Sequence, residues 1–148
     1  MAENSERDKA SKDMMHYIRI MRCLEATGKA FLGICITCNR QFHIEYLDAG
    51  HFISGRRNAV LFDIMCIYNQ CNYCNVIMHG RHKLYRKIMV RKHGKEWVLN
   101  RAIRARRVIK NNQIDFVKLR KGIKSMLEKI YRKHGYETFG EILRDGKG

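Results

Sequence analysis

The amino-acid sequence predicts an α+β protein, mostly helical, in which a small zinc-stabilised centre is flanked by N-terminal and C-terminal helices. Three observations carry that prediction. Apolar residues recur at three- and four-residue steps near both ends of the chain, which is the period of an amphipathic helix. Two Cys-x-x-Cys knuckles, Cys35/Cys38 and Cys71/Cys74, sit between those ends. None of the 148 residues is proline, so no fixed ring interrupts a helix. The length suits one domain, or a small domain with helical extensions. It divides into an N-terminal helix (1–30), a zinc-bound centre (31–94) and basic C-terminal helices (95–148).

The first helix is expected from about Arg7 to Thr27, with Met14, Tyr17, Ile18, Met21 and Leu24 on one face and Gly28 as its end cap. Residues 31–38 read as a short strand running into the first knuckle. Phe42, Ile44 and Tyr46 alternate with His43 and Glu45, which predicts a second strand. Gly50 and Ser54-Gly55 mark loops, and Ala59–Ile64 is a short apolar run, strand or helical turn. The second knuckle leads into a helix over roughly 74–93, ended by Gly94. Another covers Lys95–Lys110, with Asn111-Asn112 as its break. The last, Gln113–His134, carries Phe116, Leu119, Ile123, Met126 and Ile130 as a seam and stops at Gly135. Burial within the chain and a dimer interface are equally good uses for that seam and for the apolar face of the 7–27 helix.

Charge narrows the partners. Lys and Arg number 30 against 14 Asp and Glu, a formal net charge of +16. Between Arg81 and His134 lie 19 basic and 3 acidic residues, while the rest of the chain holds 11 of each. The whole excess therefore sits on the helices after the second knuckle. Cationic helices can be plain solvated surface, but segregation this complete points to a polyanion, and nucleic acid is the commonest. No run is long and apolar enough for a membrane span, so a transmembrane helix is excluded and no membrane partner is expected. The polar, mixed-charge start MAENSERDKASKD is no signal peptide, so reducing surroundings are expected and the six cysteines suggest metal rather than disulfides.

A tetrahedral zinc ion takes four thiolates, and each Cys-x-x-Cys turn presents two. Cys35, Cys38, Cys71 and Cys74 therefore predict one closed structural site that adds folding energy. Cys23 and Cys66 are left over as buried thiols. The 32 residues between the knuckles contain Asp48, His51 and Arg56-Arg57, and Asn75 follows the last cysteine at once. A zinc that holds the strand region against the 74–93 helix is expected to turn His51 and Asn75 towards one site. A nuclease needs a base to activate water and a divalent ion to neutralise the scissile phosphate. Imidazole suits the first task. Amide and carboxylate oxygens suit Mg²⁺.

The string Cys35-x-x-Cys38, Ala49-Gly50-His51-Phe52, Cys71-x-x-Cys74-Asn75, Gly80 and Tyr85 resembles the NinG/Rap recombination proteins of lambdoid phages over roughly residues 31–135. The layout is also similar to that of the HNH, or His-Me finger, nucleases. The resemblance implies a ββα-metal core and endonuclease action on branched DNA, meaning Holliday junctions and D-loops. It also implies a homodimer, because symmetrical cutting needs two sites, and a cytoplasmic location in a bacterial host. It makes His51 the general base, Asn75 a ligand of a catalytic Mg²⁺ or Mn²⁺, the four cysteines the structural zinc ligands, and Arg56 a phosphate contact.

Three kinds of departure from the family pattern stand out. Gly50 stands where an acidic ligand usually precedes the histidine, which leaves Asp48 as the nearest carboxylate. Cys66 stands where an asparagine usually braces the histidine loop, with Asn69 as the alternative brace. His79 and His82 are additions. His79, one turn past Asn75 on the expected helix, either reaches the ion or faces solvent. The expected DNA surface comprises Arg56, Arg57, Arg81, Lys83, Arg101, Arg104, Arg107 and Lys110. Two other functions fit the same residues. One is a non-catalytic zinc-containing accessory protein that binds nucleic acid; the other is an HNH nicking nuclease on ordinary duplex DNA.

Overall fold

The computed structural model describes residues 5–147. Helix α1 spans Glu6–Thr27. Ser5 caps it by accepting from the Asp8 amide, and Gly28 ends it at φ 76° with its amide donating to the Leu24 carbonyl. Both ends match the expectation, and the left-handed Gly28 explains why glycine stands there. Two two-stranded sheets follow. Strand β1 (Leu32–Ile34) pairs antiparallel with β2 (Gln41–His43). Strand β3 (Leu47–His51) pairs antiparallel with β4 (Ile67–Cys71), in a register that sets Asp48 opposite Gln70 and His51 opposite Ile67. Between β3 and β4 lies the short helix α2 (Asn58–Leu61). After β4 come a single π-helical turn at Tyr73–Ile77, then α3 (His82–His93), α4 (Lys95–Ala105), α5 (Phe116–His134) and α6 (Phe139–Arg144).

Four local expectations are corrected. The strand read at 42–46 stops at His43, and Ile44–Tyr46 forms a 3₁₀ turn whose Ile44 is buried. Gly50 lies inside β3, not in a loop. The helix expected over 74–93 is interrupted. His79, Gly80 and Arg81 all have positive φ, of 51°, 84° and 48°, which no right-handed helix accommodates. The helix expected to Lys110 ends at Ala105, so Arg107 and Lys110 lie beyond it. None of these breaks carries a proline, and apolar spacing alone did not reveal them.

All five residues of β4 are buried, because both faces of the β3–β4 hairpin are covered. On one face α1, α5 and α6 bring Ile18, Cys23, Ile123, Leu127 and Ile142 against Leu47 and Ile67. On the other, α3 and α4 bring Tyr85, Met89 and Val98 against Tyr68 and Phe52. The α5 seam is thus used inside the chain, against α1. Leu127 occupies the buried position expected of Met126, which is exposed. Arg120 of α5 ties the two helices by donating to Asp13 of α1 at 3.0 Å. No described helix is long and apolar enough to cross a membrane.

Candidate functional site

The two knuckles meet. The sulfurs of Cys35, Cys38, Cys71 and Cys74 all lie within 4.8 Å of one another, and Cys38 Sγ stands 3.9 Å from Cys71 Sγ. A zinc tetrahedron with arms of about 2.3 Å has sulfur–sulfur edges of about 3.8 Å, so the donor set fits zinc in number, type and spacing. The backbone shapes each half of the site. Asn39 takes a left-handed conformation that lets its amide reach the Cys35 carbonyl and lets Cys35 N–H reach the Arg40 carbonyl. On the other half, Gly80 N–H closes onto the Cys74 carbonyl at 2.9 Å.

Burial pushes the Cys71 thiol up to about 12. At Cys35 burial also pushes upward, but donors from Cys38 and Thr37 outweigh it and bring that thiol down to about 6. A cluster holding more than one thiolate at neutral pH needs a cation among its sulfurs. Cys23 and Cys66, both pushed up to about 12 by burial, remain neutral thiols.

Beside this cluster, Asp48 of β3 and Asn75 of the π turn come together: Asn75 Nδ2 donates to Asp48 Oδ2 at 3.3 Å. That bond uses the amide nitrogen and one carboxylate oxygen. Asn75 Oδ1 and the other Asp48 oxygen are left as hard donors of the kind a divalent cation takes. Asp48 takes this part because side chains alternate along a strand, so positions 48 and 50 share a face. His51 is three residues on, about 10 Å along the strand, and belongs to the opposite face. There its Nε2 meets the Leu61 carbonyl of α2 at 3.3 Å. Burial lowers its pKa, against an upward pull from the Leu61 and Ala49 carbonyls. The structure thus joins Asp48 to Asn75, while the hydrogen bond of His51 runs to α2.

Gly50 has a clear structural reason. A Cβ placed there would lie 2.2 Å from Gln70 Oε1. Gln70 is fully buried, and its Nε2 donates to Thr37 Oγ1 at 3.1 Å and to the Gly80 carbonyl at 3.0 Å. It therefore ties the first knuckle to the turn beyond Asn75 through the space an acid at position 50 would fill. Sequence reasoning missed Gln70; its only signal was its place directly before the third cysteine. Gly50→Ala is expected to cost roughly 1–3 kcal/mol by overpacking, read as a shifted denaturation midpoint with zinc bound. An unchanged midpoint would contradict this packing.

The remaining predicted positions separate. His79 is exposed and its backbone has left the helix, so it does not stand one turn above Asn75. His82 instead bridges the histidine loop, with Nδ1 at 3.2 Å from the Phe52 carbonyl and Nε2 at 2.9 Å from Ser54 Oγ. Asn69 does not brace that loop; it is buried and donates to the Arg19 carbonyl of α1 at 3.1 Å. Cys66 donates to Asp63 at 3.3 Å. Arg56, Arg57, Lys83, Arg104, Arg107 and Lys110 are exposed, and Arg81 is half-buried. Arg101 differs, because it is paired with Asp63 at 3.0 Å and sits over the Trp97 ring. It locks α4 to the chain ahead of β4 and so has the least freedom to meet a phosphate.

A cationic, mostly helical α+β protein with a four-cysteine centre able to hold a metal such as zinc is the class that this fold and site define. The sequence matches the family described as "NinG: Bacteriophage Lambda NinG protein" over residues 6–132. The chain belongs to that phage family. Neither the curated proteins nor the solved structures provide a match.

Proposed function

We propose that this chain is a divalent-metal-dependent endonuclease acting on branched DNA such as Holliday junctions and D-loops. The observation that carries the reading is the Asp48–Asn75 pair at 3.3 Å, beside a four-cysteine cluster in a protein of net charge +16. Asp48 and Asn75 are the residues that would hold Mg²⁺ or Mn²⁺, which when bound supplies charge neutralisation at the scissile phosphate and the leaving 3′ oxygen. His51 is the general base. Its Nε2–H donates to the Leu61 carbonyl at 3.3 Å, which orients the ring. The exposed cations Arg56, Arg57, Lys83, Arg104, Arg107 and Lys110 hold the DNA by its phosphates, so binding falls steeply with salt. Two such sites in a homodimer suit symmetrical cutting of a four-way junction, although α5 spends its main apolar seam on α1.

One observation favours a second reading. His51 is on the other face of β3 from Asp48 and Asn75, as befits a non-catalytic zinc-containing accessory protein that binds nucleic acid. A single assay decides. Zinc-loaded protein is incubated with a labelled four-way junction and a matched linear duplex, with and without Mg²⁺ or Mn²⁺. The junction is expected to be cut only with the added ion, and Asn75→Ala is expected to lose roughly 10²–10³-fold in rate. An intact junction under every ion supports the accessory reading. Equal cutting of the duplex supports a nicking nuclease.

A further inference from the structure

We propose that the concavity over the thiolate cluster receives one unpaired nucleotide of a DNA strand, with Tyr73 stacking on the base and Arg40 and Arg81 holding its phosphates. This rests on the DNA reading above and concerns how branched DNA is told from duplex. The cavity measures about 540 Å³, within the range of ligand pockets and far larger than a zinc ion at its floor requires. Phe42 and Tyr73 supply its aromatic surface, Arg40 and Arg81 its charge, and among the described residues no carboxylate lines it.

Two guanidinium groups without a nearby acid select an anion, and an aromatic ring selects a flat partner. A nucleotide is both. Tyr73 is 56% exposed, so its ring is open to a partner. It also lies two residues before Asn75, in the same turn. The same turn continues into Val76 and Ile77, both more than half exposed, apolar surface that suits bases out of their stack. Inside a duplex each base has both faces covered by its neighbours, so only an unpaired base can stack on Tyr73. Arg81 has a left-handed backbone at the break before α3 and lines the cavity.

The test uses the zinc-loaded full chain and a short fluorescent oligothymidylate, with matched duplex as control. Tyr73→Ala is expected to weaken oligothymidylate binding about tenfold, and Tyr73→Phe to stay within about twofold of the wild type. Duplex binding is expected to be unchanged in both. Arg40→Gln is expected to lower the salt slope of oligothymidylate binding by about one. Zinc content, measured in parallel, shows that the neighbouring Cys74 is undisturbed. Equal oligothymidylate affinity in wild type and Tyr73→Ala overturns the proposal. So does a Tyr73-dependent sedimentation shift without DNA, which would assign the surface to a second copy of the chain. The two readings fail separately. Tyr73-dependent binding without junction cleavage keeps the pocket and removes the nuclease, whereas junction cleavage with Tyr73-independent binding does the reverse.

Discussion

Cys71→Ser is expected to abolish zinc binding and with it the cooperative unfolding of the chain. Cys71 ends β4 and is 4% exposed, and its sulfur meets Cys38 from the other knuckle at 3.9 Å. Structural zinc contributes on the order of 10 kcal/mol to a small domain, comparable with a whole domain's stability. The loss spreads because Cys35, Cys71 and Cys74 belong to the same core as Ile18 of α1 and Ile123 of α5. Zinc content and thermal melting check it together. A variant that keeps one zinc per chain and the wild-type melting curve would show that the four sulfurs are not a structural site. Cys66→Ser serves as the control, since Cys66 lies outside the cluster as a buried neutral thiol.

His51→Ala has the second largest expected effect, on rate rather than stability. Removing a general base typically costs 10²–10⁴-fold, so junction cleavage is expected to fall by about that factor with zinc content and DNA affinity retained. The pH profile offers an independent check. Burial holds the His51 pKa below 6.5. The neutral base is therefore present throughout the neutral range, and kcat/KM is expected to rise with pH through a midpoint below 6.5 and then level off.

Stability moves the same way for the same cause. Below 6.5 the unfolded chain binds a proton at His51 more readily than the folded chain. This contribution is therefore fully present above 6.5 and is lost as pH falls towards the folded pKa. Equal cleavage by wild type and His51→Ala removes His51 from the mechanism and leaves its bond to the Leu61 carbonyl as a structural tie between β3 and α2.

The four-cysteine centre was legible in the sequence because cysteine spacing is a local property: two residues between cysteines set both sulfurs on one turn. The helices α1 and α5 were legible for a similar reason, through their apolar period and their closing glycines. The charge split after Arg81 required only counting. Less was readable at the site itself. Asp48 was named because it was the nearest carboxylate, but only strand alternation and the β3–β4 register show that it faces Asn75. Gln70 went unnoticed because its part depends on Gly50 across the hairpin and on Thr37 and Gly80 from two other segments.

What residues near in sequence decide by themselves, this chain wrote plainly: a thiolate centre, amphipathic helices and a cationic half. What packing decides had to wait for three dimensions. The helix begun at the second knuckle breaks at His79–Arg81 because Gly80 must close onto the Cys74 carbonyl and accept from Gln70. Arg101 turns to Asp63 because α4 lies close to the chain ahead of β4. His51 parts from Asp48 because an odd step along a strand reverses the side chain. Asp63 and Arg101 come from distant segments, Gln70 reaches Gly80 from another element, and the parting of His51 from Asp48 depends on β3 forming by pairing with β4.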